Sequence, residues 1–273
     1  MKAEFMPRAL TIGTMTSNIL SFIPLSGMPE VTAETDLPEL LEKALGEVGG
    51  VQPGDILVIT HKIISKATGQ VRDLRMVEPS DEAKRIADVS GKDARTVQVI
   101  MDSSERLYVC ERGLLISERR DGWICCNAGV DASNAGGEDR VILLPEDCDA
   151  QAKRISQALA EKGLCLPVMI CDTHGRALRS GAAGVVVGSY GMQTIRPYIG
   201  LEDRDGRVMR STMEAVADEI AGAATLVMGQ GNEGIPAVLV RGFSYTPSTE
   251  DSAALRLPTQ DRLYQIGEEK LRL

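Results

Sequence analysis

Leu166-Pro167-Val168-Met169-Ile170-Cys171-Asp172-Thr173 sets the architecture. The apolar run is short and uninterrupted, which reads as a buried strand. It ends on a carboxylate and a hydroxyl, at the rim of a layer where ligands often sit. Working outward, Ile56-Leu57-Val58-Ile59 is a second such strand, entered by the Pro53-Gly54-Asp55 turn, and Ala237-Val238-Leu239-Val240 is the last. Helical patterns stand between them. Asp36 caps a helix with Glu39 three residues on, and Leu37, Leu40, Leu41, Ala44 and Leu45 share its face until Gly49-Gly50. Ser80 caps a helix through Ala83, Ile86 and Ala87, and Asp93 opens another through Val97, Ile100 and Met101. Asp149 starts one carrying Ala152, Ile155 and Leu159. Ser211 and Glu214 form a capping-box pattern for a long helix with Met213, Val216, Ile220, Ala223 and Val227 on its core face, stopped by Gly229. Leu107 to Cys126 reads as a β-hairpin delivering the 127–134 loop. Gly181 to Met192 reads as a strand packed closely around Gly184, Gly188 and Gly191. Helices and strands mix without a strict βαβ rhythm or a repeat. The expected class is therefore α/β with α+β character, and not a Rossmann fold. Residues 1–21 read as an N-terminal extension, 22–247 as the domain, and 248–273 as a polar tail.

Of the 273 residues, 43% are hydrophobic and only 3% aromatic, so the core must rest on aliphatic side chains. The net charge of −9 argues against non-specific nucleic-acid or anionic-membrane binding. No apolar run approaches the roughly 18 residues of a membrane span, and no secretory h-region is visible. Cys110, Cys125, Cys126, Cys148, Cys165 and Cys171 show no C-x-x-C spacing. They read as reduced thiols of a cytoplasmic protein, neither a disulfide framework nor a zinc site.

Three separated loops carry the chemistry. Asn127-Ala128-Gly129-Val130-Asp131-Ala132-Ser133-Asn134, Cys171-Asp172-Thr173-His174-Gly175-Arg176 and Met228-Gly229-Gln230-Gly231-Asn232-Glu233-Gly234-Ile235-Pro236 each place oxygen or amide groups among small residues beside an apolar run. Hard cations such as Mg²⁺ want oxygen ligands and keep waters and substrate phosphates. Glycine-rich loops let backbone N–H groups close on a phosphate. Lys62 and Lys66 follow a strand end, where they suit either phosphate or solvent. His61 suits a base, a phosphate donor or a satisfied loop residue. Arg176, Arg179 and Arg196 suit bidentate anion contacts or a solvated surface. There is no G-x-x-x-x-G-K-[ST], no dinucleotide fingerprint and no nucleophile motif, so no covalent catalytic residue is expected.

At these residues the sequence resembles the coenzyme F420-0:L-glutamate ligase (coenzyme F420 γ-glutamyl ligase) family. The likeness is carried by Ser65-Lys66-Ala67-Thr68-Gly69, by 127–134, by Asp172 to Arg176, by Ala215 to Ile220 and by Gly234 to Gly242, in order. The resemblance implies a family-specific α/β fold, unlike Rossmann or P-loop proteins, in an intertwined homodimer. It implies a GTP-dependent ligase that activates the terminal carboxylate of F420-0 as an acyl phosphate and joins L-glutamate to it by an amide bond, with further γ-linked additions. By likeness, Asp131, Asp172, Thr173 and Gln230 hold Mg²⁺ or Mn²⁺, with K⁺ as an added ion. Met28, Pro29, Glu30, Val31, His61, Lys66, Asn134, Met228, Gly229, Gly231, Asn232, Glu233, Gly234 and Ile235 line the GTP pocket. Arg176 and His174 are assigned to the substrate. Gln230 departs from the acidic residue expected in some members, and His61 stands where a small hydroxyl is common. Two other readings fit: an amide ligase for another acid or amine, and a non-catalytic nucleotide-binding homologue.

Overall fold

A computed structural model describes residues 19–111, 113–176, 178–258 and 261–262. Most of the 1–21 extension and the last part of the tail lie outside the described residues. The chain opens with β1 (Ser21–Leu25), α1 (Leu37–Glu47) and β2 (Ile56–Thr60), followed at once by α2 (His61–Ala67) and by β3 (Val71–Asp73). Two helices, α3 (Asp81–Ser90) and α4 (Ala94–Asp102), precede β4 (Ser104–Glu111), β5 (Leu114–Arg119), β6 (Ile124–Cys126) and β7 (Arg140–Ile142). Then come α5 (Cys148–Glu161), the long pair β8 (Val168–Arg176) and β9 (Arg179–Met192), and β10 (Arg196–Pro197) with β11 (Met213–Glu214). The chain continues through α6 (Val216–Met228), β12 (Ala237–Arg241) and β13 (Pro247–Ser248).

Six strands form one sheet in the order β1-β12-β2-β8-β9-β13. Only β2 and β8 run parallel; the other neighbours are antiparallel. The central strands are apolar on both faces because both faces are covered. Leu57, Ile59, Val168, Ile170 and Leu239 pack with α1 and α5. Ile56, Val58, Met169, Cys171, Val238 and Val240 pack with α6. Alternation along each strand thus feeds two cores, which explains the unbroken apolar runs. Each such buried aliphatic side chain contributes about 1.5–3 kcal/mol. A third, smaller core joins α3 and α4 to Leu115, Ala128, Val130 and Val141. It carries the 127–134 loop to the edge of the main sheet.

The caps behave as the sequence suggests. Asp36 accepts from Glu39 N, Ser80 from Ala83 N and Asp93 from Arg95 N. The Leu107–Cys126 hairpin is a three-stranded sheet, β4-β5-β6. Two expectations need correction. Asp147, not Asp149, caps α5. Asp149 instead accepts from Ser189 N and from the backbone and hydroxyl of Ser252. The helix expected from Ser211 begins only at Val216, because Met213 and Glu214 pair with Pro197 and Arg196. Met213 is exposed, and the buried face of α6 is Val216, Ala217, Ile220, Ala221, Ala224 and Met228. Small residues set that face: a Cβ on Gly184 would stand 2.8 Å from the Ala221 carbonyl oxygen, so only a thin helix fits there. The polar tail packs on the body through β13 and buried Ser252.

Candidate functional site

The one parallel pairing fixes the site. Thr60, the last residue of β2, stands beside Cys171, beyond which β8 runs on paired only with β9, and β12 begins at the same edge because it runs the other way. The Thr60 amide donates to the Pro236 carbonyl at 2.9 Å and ties the glycine-rich loop to that edge. The Asp131 backbone exchanges two hydrogen bonds with Ile142, which anchors the 127–134 loop. A cavity of about 450 Å³ opens where these segments meet.

Met28, Pro29, Glu30 and Val31 form one part of its wall, and Met228 to Ile235 another. Lys66, Asp131, Asn134, Asp172, Thr173 and Gln230 also line it. Residues more than 200 positions apart in sequence therefore line one cavity. Lys62, Ser133 and Thr225 join them. Lys62 was one of two lysines noted after β2. Ser133 and Thr225 were not singled out, although Thr225 lies one helical turn before Met228. His61, His174 and Arg176 are not on the lining. His61 is 1% exposed and lies against Asp172. Arg176 donates to the Ser180 and Gly181 carbonyls at the tip of the β8–β9 hairpin. Arg196 contacts Glu214 and Phe243.

The charges are arranged in pairs. Lys62 Nζ lies 2.8 Å from Asp131 Oδ2 and 2.6 Å from Ser133 Oγ, and Lys66 pairs with Glu30. Ser133 donates to Asp131 through its amide and its hydroxyl. Burial works against the charge on Asp131, but Lys62 and the Ser133 donors outweigh it and hold the carboxyl below its ordinary range. Asp172 is buried more deeply. Burial again opposes its charge, yet His61 Nε2 and His174 Nε2, each 3.3 Å away, hold it far below the ordinary range. Both carboxylates are thus ionised at neutral pH.

The glycine-rich loop leaves the C-terminal end of α6, so that helix brings no positive end to the cavity. Lys62 and Lys66 supply the positive charge instead. Gly229 has φ 73° and ψ −176°, a conformation closed to residues with a Cβ. A Cβ there would stand 2.1 Å from the Glu233 carboxylate carbon. Glu233 accepts from the Gly231 amide at 2.8 Å, and Gln230 Nε2 donates to Thr173 Oγ1 at 3.2 Å.

Among the described residues, no three His, Cys, Asp or Glu side chains converge into a protein-only metal cage. The oxygen set on the lining, two ionised carboxylates with a hydroxyl and an amide, suits a hard cation that completes its shell with water and phosphate. Cys125 and Cys171, which border the site, have their thiols pushed up to about 12 by burial and stay protonated.

A three-layer mixed sheet with an ionised, oxygen-rich cavity at the end of its one parallel pair defines a small-molecule-handling α/β protein. The chain belongs to the F420-0:gamma-glutamyl ligase family, whose model matches residues 27–242. It is 42% identical over 228 residues to the coenzyme F420:L-glutamate ligase of Methanothermobacter thermautotrophicus, covering 83% of this chain and 90% of the relative. It is 42% identical over 229 residues to the enzyme of that name from Natronomonas pharaonis, covering 82% and 86%. For the one from Archaeoglobus fulgidus the identity is 39% over 222 residues, covering 81% and 87%. Every wall of the cavity falls within the matched region.

Proposed function

We propose that this protein is a GTP-dependent ligase that joins L-glutamate to the terminal carboxylate of F420-0 by an amide bond and adds further glutamates through γ-linkages. The observation that carries this reading is the meeting of two lysines, two ionised carboxylates and a glycine-rich loop in one cavity. A carboxylate is a poor electrophile. Transfer of the γ-phosphoryl group from GTP makes it an acyl phosphate, and the glutamate amine then displaces phosphate. Such transfer needs positioning and charge neutralisation rather than a protein nucleophile. Lys62 and Lys66 would exchange their internal carboxylate partners for nucleotide phosphates, while Met28 to Val31 and the 228–235 loop enclose the nucleotide.

Asp131, Asp172, Thr173 and Gln230 would hold Mg²⁺ or Mn²⁺, with K⁺ as a further ion. When bound, these cations neutralise phosphate and carboxylate oxygens. A homodimer and a cytoplasmic location belong to the same reading. No helix among the described residues is long and apolar enough to cross a membrane. Gln230 favours a second reading, a nucleotide-binding homologue without ligase activity, because a neutral amide lowers the charge available to a second cation. Release of phosphate from GTP separates them. The ligase releases it only when F420-0 and glutamate are both present, and the homologue never does. Release that depends on a different acid would replace F420-0 as the acceptor.

A further inference from the structure

Asp172 is the carboxylate on the cavity wall that two imidazoles face. Its Oδ1 accepts from the Thr173 amide at 2.7 Å and faces His61 Nε2 at 3.3 Å. Its Oδ2 faces His174 Nε2 at 3.3 Å. A carboxylate accepts only, so both imidazoles must present an N–H at Nε2. Both Nε2 atoms are shut off from solvent and complete no hydrogen bond among the described residues, so each stands at ion-pair distance from Asp172 with its donor otherwise unspent. The carboxylate of Asp172 is the charged group that both of these donors face. The His61 ring is also set from behind. Its Nδ1 lies 3.4 Å from Ser65 Oγ, one turn along α2, and Ser65 is fully buried. His174 reaches Asp172 from two residues along β8, on the same face of the strand.

We infer that His61 and His174 are positioning residues that clamp Asp172 from two elements, and that they leave Oδ2 as the oxygen free to meet a cation. The inference rests on the metal role proposed for Asp172. It removes His61 from the nucleotide-contacting set, because a side chain 1% exposed and off the cavity wall has no route to a nucleotide. A carboxylate has about four lone-pair sites. Oδ1 faces two donors and Oδ2 one, so Oδ2 is the oxygen that would be more open to a cation. The clamp fixes the rotamer of Asp172 before any ligand arrives, as outer groups do for metal ligands generally.

The test is Mn²⁺ binding to the purified full chain, followed by electron paramagnetic resonance without substrates, beside GTP affinity measured in EDTA. His61→Ala and His174→Ala are each expected to weaken Mn²⁺ by about 10- to 100-fold. His61→Gln, whose Nε2 replaces the imidazole donor, is expected to recover most of that loss. GTP affinity in EDTA should not change in any of the three. His174 is half-buried and belongs to none of the apolar cores, so it decides the matter if His61→Ala fails to fold. Wild-type Mn²⁺ affinity in His174→Ala, or no recovery in a folded His61→Gln, would overturn the clamp alone. A loss of metal-free GTP affinity in His61→Gln would return His61 to the nucleotide. Failure of the wild-type chain to bind Mn²⁺ would sink the metal reading and the clamp together.

Discussion

His61 Nε2 lies 3.3 Å from Asp172 Oδ1, across the seam where β2 and β8 run parallel. His61 is the first residue of α2 and Asp172 stands near the end of the apolar part of β8. This contact joins the end of β2 to the point where β8 leaves it, beside the cavity. It also turns an apolar layer into a charged rim within one residue of Ile170-Cys171. The site is thus an outcome of sheet topology, with its most deeply held carboxylate seated on the core itself.

The loop opposite that rim depends on Gly229. Gly229→Ala would force a Cβ into the Glu233 carboxylate and a backbone conformation that alanine avoids. Nucleotide affinity should fall by about 5- to 150-fold, because the cost of such strain is about 1–3 kcal/mol. The thermal midpoint should shift little, since the loop is exposed. Equilibrium binding of GTP to the folded variant checks this. Unchanged affinity would remove the loop from the nucleotide site.

Much of this was legible in the sequence, for a physical reason. Ile56–Ile59, Leu166–Ile170 and Ala237–Val240 are covered on both faces, so burial wrote itself as unbroken apolar runs. Asp36, Ser80 and Asp93 cap helices through contacts within three residues, which local spacing reveals. What failed depended on distant partners. Met213 reads as a helix residue until β10 takes it into a two-residue strand pairing. Asp149 reads as a cap until Ser252, 103 residues later, claims its carboxylate. The three loops were visible, but their convergence needed the β2–β8 pairing, which no local pattern carries. The burial of His61 was hidden too, since a histidine after a strand looks the same whether it faces ligand or core.

Arg241 and Asp55, 186 positions apart in sequence, form a second contact between strand ends. Asp55 is 1% exposed and takes both Nε and Nη2 of Arg241, at 3.0 and 2.7 Å. Arg241→Ala strands that carboxylate and should cost about 3 kcal/mol, the low end for a broken buried pair because Arg241 itself is partly open. Urea unfolding reads the loss. The double variant with Asp55→Ala should recover part of it. Additive losses would show that the pair does not couple.

Two glycine substitutions should move stability in opposite directions. A Cβ on Gly188 would meet the Cys148 backbone of α5 at 2.5 Å, which neither partner can relieve by a rotamer change. Gly188→Ala should destabilise by ~1–3 kcal/mol. Gly46 lies in α1 with nothing within 4 Å of an added Cβ, so Gly46→Ala should stabilise by about 0.5–1 kcal/mol. Chemical denaturation of the pair checks both signs, and equal effects would contradict the packing described.

Thiol reactivity offers a check on burial. Cys126 and Cys165 are exposed, whereas Cys125, Cys148 and Cys171 are buried with raised thiol pKa values. A native-state titration with a thiol-specific disulfide reagent should show Cys126 and Cys165 reacting first and these three only on unfolding. Rapid labelling of Cys171, identified by peptide mapping, would contradict the closed core beneath the site.

Incubation of the protein with GTP, L-glutamate, Mn²⁺ and F420-0, with products read by mass spectrometry beside Asp131→Ala and Asp172→Ala, tests the proposed ligase and its metal-holding aspartates together. A ligase yields products heavier by one or more glutamyl units with the wild-type chain and loses more than ~100-fold in each variant, since disturbing outer partners of metal ligands alone costs about 10–100-fold. Unmodified F420-0 after incubation with folded, GTP-binding wild-type protein, or undiminished product with either aspartate removed, would contradict it.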